Sequence, residues 1–459
     1  MPQAISVIQF LVVCESGDGS RWKPTTGERI AGTLWQVTTD CGVRIRVGLV
    51  SSAGRCSGQY ESMTGSPALS SDVGRHNMSL VMAAAAENAP CARMELRERT
   101  GLVSGTVTTM VEDLIARGLL VESGNVQGRR GRPRRLLTLA PDRVRTVAVQ
   151  LFPESVSGEV RDMAGQVLWS GRRAHTIEPG DATGFVTALA DMFDSAIERA
   201  NHATNAWIAN PVAVLPAIVA HDSNIVAALP LGLRALDIRS PLEKALAQPR
   251  TVEVINEGRL SALAEYTASQ SDARPHAMAY VSAQREGVGG ALVIEGDIFG
   301  GSHGLAGLVG HVGVDMAGPQ CSCGARGCLG LYLSLNALLE HAGLDSSRSV
   351  TDLIELLKAD NADAHAALDR GGKALASAVG TMSNYTDVDV IVLGGVLPAL
   401  LPWLEPYVND LIRSRSERVP HFNPQITLAT YGLESPLIGA WHHARRTVLD
   451  NPTVVPYLS

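Results

Sequence analysis

Four side chains within a short stretch of the sequence carry metal-binding chemistry: His311, Cys321, Cys323 and Cys328. Three thiolates and one imidazole form a ligand set that holds zinc tetrahedrally in structural sites. Glycines at 318, 324 and 327 would let the loop turn tightly enough for the four ligands to meet. The alternative is three small buried cysteines in a glycine-rich loop, but such clustering makes that unattractive. We therefore predict a structural zinc ion with closed coordination.

A second group of chemistry-bearing residues is basic. A Gly-Arg-Pro tripeptide contains Arg132 and is flanked by Arg129, Arg130 and Arg134. An extended Arg-Gly-Arg-Pro segment fits a narrow minor groove, where the negative potential over A·T tracts attracts guanidinium groups. Taken alone, such a run is usually a solvated loop. Its position directly after a helix-turn-helix pattern favours DNA binding.

The helix-turn-helix pattern lies just before this loop, after a first helix that Pro90 closes. Gly101 supplies the positive φ of a tight corner between two short helices. We expect the second helix to begin near Ser104, which is a good N-cap residue. A strand on each side of the basic loop would complete a winged helix. The inner faces of the two helices carry Leu96, Leu102, Val107, Val111, Leu114 and Leu119, and the outer face of the second presents Ser104, Thr106, Thr108 and Thr109 to the major groove.

The chain divides into three segments around this module. We expect residues 1–72 to be a poorly ordered extension, residues 73–140 to be the winged helix-turn-helix and residues 141–450 to sense a ligand. Residues 75–140 hold ten Arg against six Asp or Glu, a charge of +4 in a chain of net charge −7. This asymmetry indicates a basic DNA-binding module attached to an acidic body.

Composition describes an ordinary soluble protein, with 45% hydrophobic and 19% charged residues. No apolar run approaches the roughly 20 residues that a membrane-spanning helix needs. The apolar N-terminal stretch has no basic segment before it, so we expect no signal peptide. Clustered cysteines of metal-binding type, without evident disulfide pairing, favour the cytoplasm. We expect a cytoplasmic protein that does not bind membranes.

Strands and helices alternate from residue 143 onward, with glycine turns at strand ends. Asp181 precedes an amphipathic helix, Asn256-Glu257 follows a buried strand, and Gly394-Gly395 follows another. Repeated strand-helix units of this kind predict an α/β domain that binds ligands at the carboxyl ends of its strands. The pair His442-His443 has no metal-binding partner at a suitable spacing, so we expect both side chains to be exposed on a helix.

Taken together, these motifs resemble the ROK family of repressors and sugar kinases over about residues 75–450. The most specific are Gly310-His311 and the Cys-x-Cys-Gly-x-x-Gly-Cys run from 321 to 328. The HNMSLV segment, Gly131-Arg132-Pro133, Val392 to Gly395 and Gly439-Ala440 are also similar. The resemblance implies an actin-like, two-lobed ATPase-type fold with a sugar cleft, a zinc site that supports the sugar side, and commonly a dimer.

Five departures separate this chain from the kinase pattern of that family, one of them Ala217 in place of the glycine of a Pro-Gly-x-Val turn. Leu151-Phe152-Pro153-Glu154 stands where a kinase has an Asp-x-Gly-Gly-Thr phosphate loop, and a glycine-free turn with a carboxylate cannot cradle phosphate. Glu257 replaces the aspartate that serves as catalytic base, and its extra methylene shifts the carboxylate. Leu308 and Gly330 stand where the family has glutamates. We therefore expect no enzymatic activity and assign no catalytic residue.

Asn256, Glu257 and His311 remain as candidate ligand-binding residues. His311 would bind zinc through one ring nitrogen and leave the other for a ligand or a supporting hydrogen bond. The alternative for Asn256 and Glu257 is a capped junction between strand and helix.

The sequence thus predicts a transcriptional regulator that acts as a repressor. It would bind double-stranded operator DNA as a homodimer or higher oligomer, and a sugar or sugar phosphate would change its DNA affinity. One alternative is an ATP-dependent sugar kinase with an accessory DNA-binding domain. Another is a repressor that has lost its ligand and answers to a protein partner, which the absence of a glutamate at 308 keeps open.

Overall fold

The computed structural model describes residues 28–30, 34–38, 44–48, 70–126, 134–202, 206–269 and 273–458. The chain forms two compact units, residues 1–67 and residues 68–459. Within the first unit the described backbone is a three-stranded antiparallel sheet. Its strands are β1 (Glu28–Ile30), β2 (Leu34–Thr38) and β3 (Arg44–Gly48).

The second unit begins with the predicted winged helix. Its helices are α1 (Ser70–Asn88), α2 (Arg93–Thr100) and α3 (Ser104–Ala116), and its strands are β4 (Cys91–Ala92), β5 (Leu120–Val126) and β6 (Arg134–Leu139). The strands form one sheet in the order β4-β6-β5, and β5 and β6 are the two strands of the wing. Gly101 ends α2 with φ 70°, as predicted for the corner.

The first lobe follows and is built on a six-stranded mixed sheet in the order β15-β11-β7-β8-β9, with β10 also paired to β7. Asp181 caps α4 by accepting a hydrogen bond from the Gly184 amide at 2.9 Å. The elements of this lobe are β7 (Val144–Leu151), β8 (Ser155–Asp162), β9 (Val167–Ala174), α4 (Ala182–Ala200), β10 (Trp207–Ile208), β11 (Val212–Leu215), β12 (Ile218–Val219), β13 (Asn224–Ala228), β14 (Leu233–Asp237), α5 (Arg239–Ala245), β15 (Glu253–Asn256) and α6 (Glu257–Ala268).

The second lobe carries a five-stranded sheet in the order β18-β17-β16-β19-β20, in which β16, β19 and β20 are parallel. Each lobe has its own apolar core. The elements are β16 (Ala277–Ala283), β17 (Val288–Ile294), β18 (Asp297–Ile298), α7 (Gly330–Leu333), α8 (Leu335–His341), α9 (Val350–Lys358), α10 (Ala362–Thr386), β19 (Val390–Gly395), α11 (Leu397–Ser416) and β20 (Gln425–Leu428). The last helix, α12 (Ser435–Asp450), returns to the first lobe and packs against α6 and β7. The result is the mixed α/β, actin-like architecture that the sequence predicts.

The winged helix and the first lobe share one apolar core. Helix α1 packs against α12, although more than 300 residues separate them along the chain. Burial of apolar surface stabilises a fold by about 25 cal/mol of free energy for each Å² withdrawn from water. A core to which both parts contribute therefore holds the winged helix on the first lobe. The core takes Met78, Val81 and Met82 from α1, Val107 and Val111 from α3, Ala440, Ala444 and Val448 from α12, and Val455 beyond it. In the described part of the chain, no helix combines the length and the apolar character that crossing a membrane requires.

Candidate functional site

The predicted metal ligands are brought together by a tightly folded loop between β18 and α7. The loop doubles back on itself, because the Cys321 amide donates to the Ala325 carbonyl at 2.8 Å and the Gly327 amide to the Pro319 carbonyl at 2.9 Å. Gly327 has φ 58°, and a Cβ there would overlap the carbonyl oxygen of Asp315. Glycine at 327 is therefore required both by backbone conformation and by space.

The four donor atoms of this loop fit one tetrahedral ion. All four lie within 4.8 Å of one another. Cys321 Sγ is 3.6 Å from His311 Nδ1, and Cys323 Sγ is 3.6 Å from Cys328 Sγ. Zinc–sulfur bonds of about 2.3 Å in tetrahedral geometry place two sulfurs about 3.8 Å apart, so these separations suit zinc. Cys321 and Cys328 are buried, which suits a closed site that holds structure.

His311 is the one imidazole among the four candidate metal ligands. It ends a short 3-10 turn, Val309–His311, that directly follows Leu308. Its Nδ1 faces the cysteine cluster, so Nε2 is the nitrogen left for another partner. Burial lowers the pKa of His311, which favours the neutral imidazole that a metal requires.

Asn256 has a structural role at the junction of β15 and α6. Its Oδ1 accepts a hydrogen bond from the Arg259 amide at 3.1 Å and caps the helix, while its Nδ2 donates to the Ala217 carbonyl at 2.7 Å. The capped junction, which the sequence leaves as an alternative to ligand contact, is thus present. One lone pair of Oδ1 and one hydrogen of Nδ2 are not used by these two bonds, and the role of Asn256 in ligand binding stays a prediction.

Glu257, the first residue of α6, lies in an unusual electrostatic environment. Desolvation raises the pKa of its carboxyl to about 7, and a hydrogen bond with the Gln150 side chain opposes that rise in part. Gln150 is itself buried, and its Oε1 has no hydrogen-bond partner among the described residues. A carboxyl and an amide with unused capacity, side by side, can bind a hydroxylated ligand.

The turn between β7 and β8 has two consecutive positions, Phe152 and Pro153, that offer no backbone amide to a phosphate. The Phe152 amide donates to the Ser155 carbonyl at 2.8 Å, so it is used inside the hairpin. Pro153 has no amide hydrogen, and Glu154 is exposed on the turn. Phosphate loops hold their ligand with a series of free backbone amides, and this turn does not offer one.

The two glycines that end β19 are explained by close packing. A Cβ at Gly394 would overlap the Tyr280 hydroxyl, and one at Gly395 would overlap the Ala283 carbonyl oxygen. Gly395 also has φ 64°. Both positions therefore require glycine whether or not a nucleotide binds nearby.

Helix α3 presents its N-terminal end to solvent, as a DNA-reading helix must. Ser104, Thr108 and Thr109 are exposed and Thr106 is half-buried. The Thr108 and Thr109 hydroxyls donate to the carbonyls of Ser104 and Gly105, which leaves their lone pairs free to accept. The predicted N-cap is wrong by one residue: Val103 occupies that position and no side chain caps the helix.

Most of the basic wing lies outside the described residues. The segment 127–133 between β5 and β6 is not described, and it contains Arg129, Arg130 and Arg132. Arg134 is the first residue of β6. Their role in DNA binding therefore stays a prediction. Arg135 pairs with Glu122 across the wing, and Glu122 also accepts from Arg93 of α2 at 3.0 Å, which ties the wing to the helices.

The expectation for His442 and His443 is wrong. His442 is half-buried, where desolvation, Arg445 and Arg274 lower its pKa to about 3. His443 Nε2 lies 2.7 Å from Glu253 Oε2, next to a cavity of about 220 Å³. Helical spacing alone does not predict this burial, because His442 lies opposite the face that Ala440 and Ala444 turn to the core.

Comparison with known proteins identifies the architecture. Residues 153–447, more than half of the chain, match the family model of the ROK family. A xylose repressor of Bacillus spizizenii is 24% identical over 364 residues, or 79% of this chain and 93% of that protein. An N-acetylmannosamine kinase of Vibrio cholerae is 31% identical over 204 residues, or 44% of this chain and 68% of that protein.

Solved structures give the same picture for the fold. A ROK family transcriptional regulator, described as a homologue of the E. coli MLC protein, has a TM-score of 0.68 at 21% identity. It covers 82% of this chain and 97% of its own. A ROK hexokinase from Thermus thermophilus has a TM-score of 0.53 at 23% identity, and covers 99% of its own length but only 68% of this chain. The hexokinase thus leaves more of this chain unmatched than the regulator does.

Proposed function

The chain belongs to the ROK family, and from that membership we propose that it is a DNA-binding transcriptional repressor. Its actin-like body senses a sugar or a related small molecule, and zinc at His311, Cys321, Cys323 and Cys328 supports the sensing lobe. The protein acts in the cytoplasm as a homodimer or higher oligomer on a two-fold operator.

The observation that carries this proposal is the winged helix, which a shared apolar core joins to the ROK body. In that body, the β7–β8 turn stands where a kinase has its phosphate loop, and its Phe152 amide is already used within the hairpin. A kinase needs that turn, and has no need of the winged helix. Homology to xylose repressors along most of the chain supports the same choice.

The direct test is selection of bound duplexes from a random DNA pool by the full chain, followed by release with D-xylose, D-glucose and N-acetylmannosamine. These sugars are chosen because xylose repressors and N-acetylmannosamine kinases are among the relatives and ROK kinases act on glucose. Enrichment of a two-fold sequence, with release by one sugar, would support both parts of the proposal. Failure to enrich any sequence would overturn it.

The wing gives the first mutational prediction. We expect Arg132→Ala to weaken binding to A·T-flanked sites by about 1–3 kcal/mol and to lower the salt slope by about 1, because one guanidinium leaves the minor groove. Fluorescence anisotropy across a salt series measures both. The matched control is Arg234→Ala, which removes an exposed arginine of β14 in the first lobe. Equal affinity and slope for wild type and Arg132→Ala would remove the wing from the interface.

The pKa of Glu257, about 7, would suit the general base of a sugar kinase, which is the alternative function. We expect no ADP release with ATP, magnesium and any of the three sugars, since the β7–β8 turn cannot position the phosphates. A coupled ADP assay, with Glu257→Gln as the background, measures this. Turnover above that background would favour a sugar kinase with an accessory DNA-binding domain.

A further inference from the structure

Beyond α12 the chain runs back to the DNA-reading helix. After Asp450 it makes a 3-10 turn, Pro452–Val454, and residues 452–458, which we name the strap, then follow the C-terminal end of α3. Val455 is fully buried in the core that the winged helix shares with the first lobe. The Leu458 amide donates to the Ala116 carbonyl at 3.0 Å. The strap thus supplies a hydrogen bond to one of the carbonyls that a helix leaves unpaired at its end.

Two buried arginines hold the strap by its backbone. Arg117, the C-cap residue of α3, donates from Nη1 to the Val455 carbonyl at 2.7 Å. Arg143, just before β7, donates from Nη2 to the Pro456 carbonyl at 2.6 Å and from Nε to the Arg117 carbonyl at 2.9 Å. Both guanidinium groups lie largely out of water, where charge-assisted hydrogen bonds are strong and their loss is costly.

Tyr457 adds a side-chain contact on the same end of α3. Its hydroxyl donates to Asp113 Oδ2 at 3.0 Å, and its ring lies under the Arg117 guanidinium, 4.1 Å from the centroid. Asp113 in turn accepts from Arg117 Nε at 2.6 Å. Leu458 lies against Gly118, where a Cβ would come within 3.0 Å of its side chain. Asp113, Ala116, Arg117 and Gly118 at this end of α3 therefore all contact the strap.

The other end of the strap is anchored in the sensing body. It continues directly from α12, which packs along α6. Helix α6 begins at Glu257, beside the candidate ligand-binding residues. A continuous series of packed elements thus runs from Glu257, at the start of α6, through α12 to the last turn of α3.

We propose that the strap fixes the orientation of α3 on the sensing body, so that α3 moves with α12 and not independently. This inference rests on the proposed function, because the orientation of α3 matters only if α3 contacts DNA. Two recognition helices held at a set separation bind two half-sites without an ordering cost, whereas loosened helices pay that cost on binding. The strap therefore acts on paired sites and on their spacing, and hardly on a single half-site.

The test uses the full chain, Tyr457→Ala and a chain ended after Val455, which keeps the buried Val455 in place. Tyr385→Ala is the matched control, because Tyr385 is 87% exposed on the second lobe. Hydrogen exchange of the peptide over 113–118 should rise at least fivefold in both strap variants and stay unchanged in the control. Affinity for a duplex with one half-site should stay within about twofold, while affinity for paired half-sites should fall about tenfold and depend less on their spacing.

Unchanged exchange over 113–118 in both variants, or unchanged paired-site affinity and spacing dependence, would overturn the proposal. If the shortened chain does not fold, Tyr457→Ala decides, with Tyr457→Phe separating the hydroxyl contact with Asp113 from the ring contact with Arg117. If the wild-type chain binds no DNA at all, the proposed function fails. The exchange experiment still decides in that case whether the strap holds α3.

Discussion

Cys328→Ala is expected to lose zinc and to lower the melting temperature by about 10 °C or more. Cys328 is fully buried, and its sulfur is one of the four candidate metal ligands that lie between residues 311 and 328. Loss of a metal present at about 1,000 times its Kd removes about 4 kcal/mol, and each kcal/mol shifts the melting temperature by about 2–4 °C when a unit of 150–250 residues unfolds, which is about the size of the second lobe. Elemental analysis and thermal unfolding, with and without a chelator, measure the two effects.

The matched control is Cys91→Ala, which removes a buried cysteine from the winged-helix core and leaves the four ligands intact. It should keep one zinc per chain and remain sensitive to the chelator. A wild-type chain purified without zinc, and with a melting temperature that neither added zinc nor chelator changes, would refute the metal site.

Glu257→Gln is expected to stabilise the protein above neutral pH and to leave it unchanged near pH 4.5. Desolvation raises the pKa of Glu257 from 4.5 to about 7, so between these values the folded chain binds more protons at this site than the unfolded chain does. The free energy of unfolding therefore falls as pH rises from 4.5 to 7 and stays lower above that, by about 3 kcal/mol for a shift of this size. Glutamine keeps the shape and has no charge to bury.

Denaturant unfolding of both proteins at pH 4.5, 6 and 8 measures this difference. Glu340→Gln is the control, since Glu340 is exposed on α8 and its replacement should not alter the pH profile relative to wild type. Parallel pH profiles for wild type and Glu257→Gln would show that the carboxyl is solvated in the folded protein.

Local sequence signals were enough for the elements that carry chemistry. The spacing of His311, Cys321, Cys323 and Cys328 predicts the metal cluster, because a loop this short leaves few ways to bring three thiolates together. Gly101 predicts the corner of the helix-turn-helix, since its φ of 70° suits glycine and few other residues. These features depend on neighbours along the chain.

The features that the sequence did not predict depend on contacts between distant segments. Burial by distant segments raises the pKa of Glu257, which also bonds Gln150 of β7, and His443 meets Glu253, which is 190 residues away along the chain. The cover of the apolar face of α1 is likewise distant, because α12 supplies it. Periodicity shows which face of a helix is apolar, but not which partner covers it.

The core shared by α1 and α12 has a consequence for the order of synthesis. The winged helix leaves the ribosome about 300 residues before α12, and at 5–20 residues per second that interval is roughly 15–60 s. Throughout it, the apolar side chains that Ala440, Ala444 and Val448 will cover have no permanent partner. A nascent chain therefore completes the core of its winged helix only when its last helix has been made, so a chain whose translation is interrupted before α12 lacks this cover.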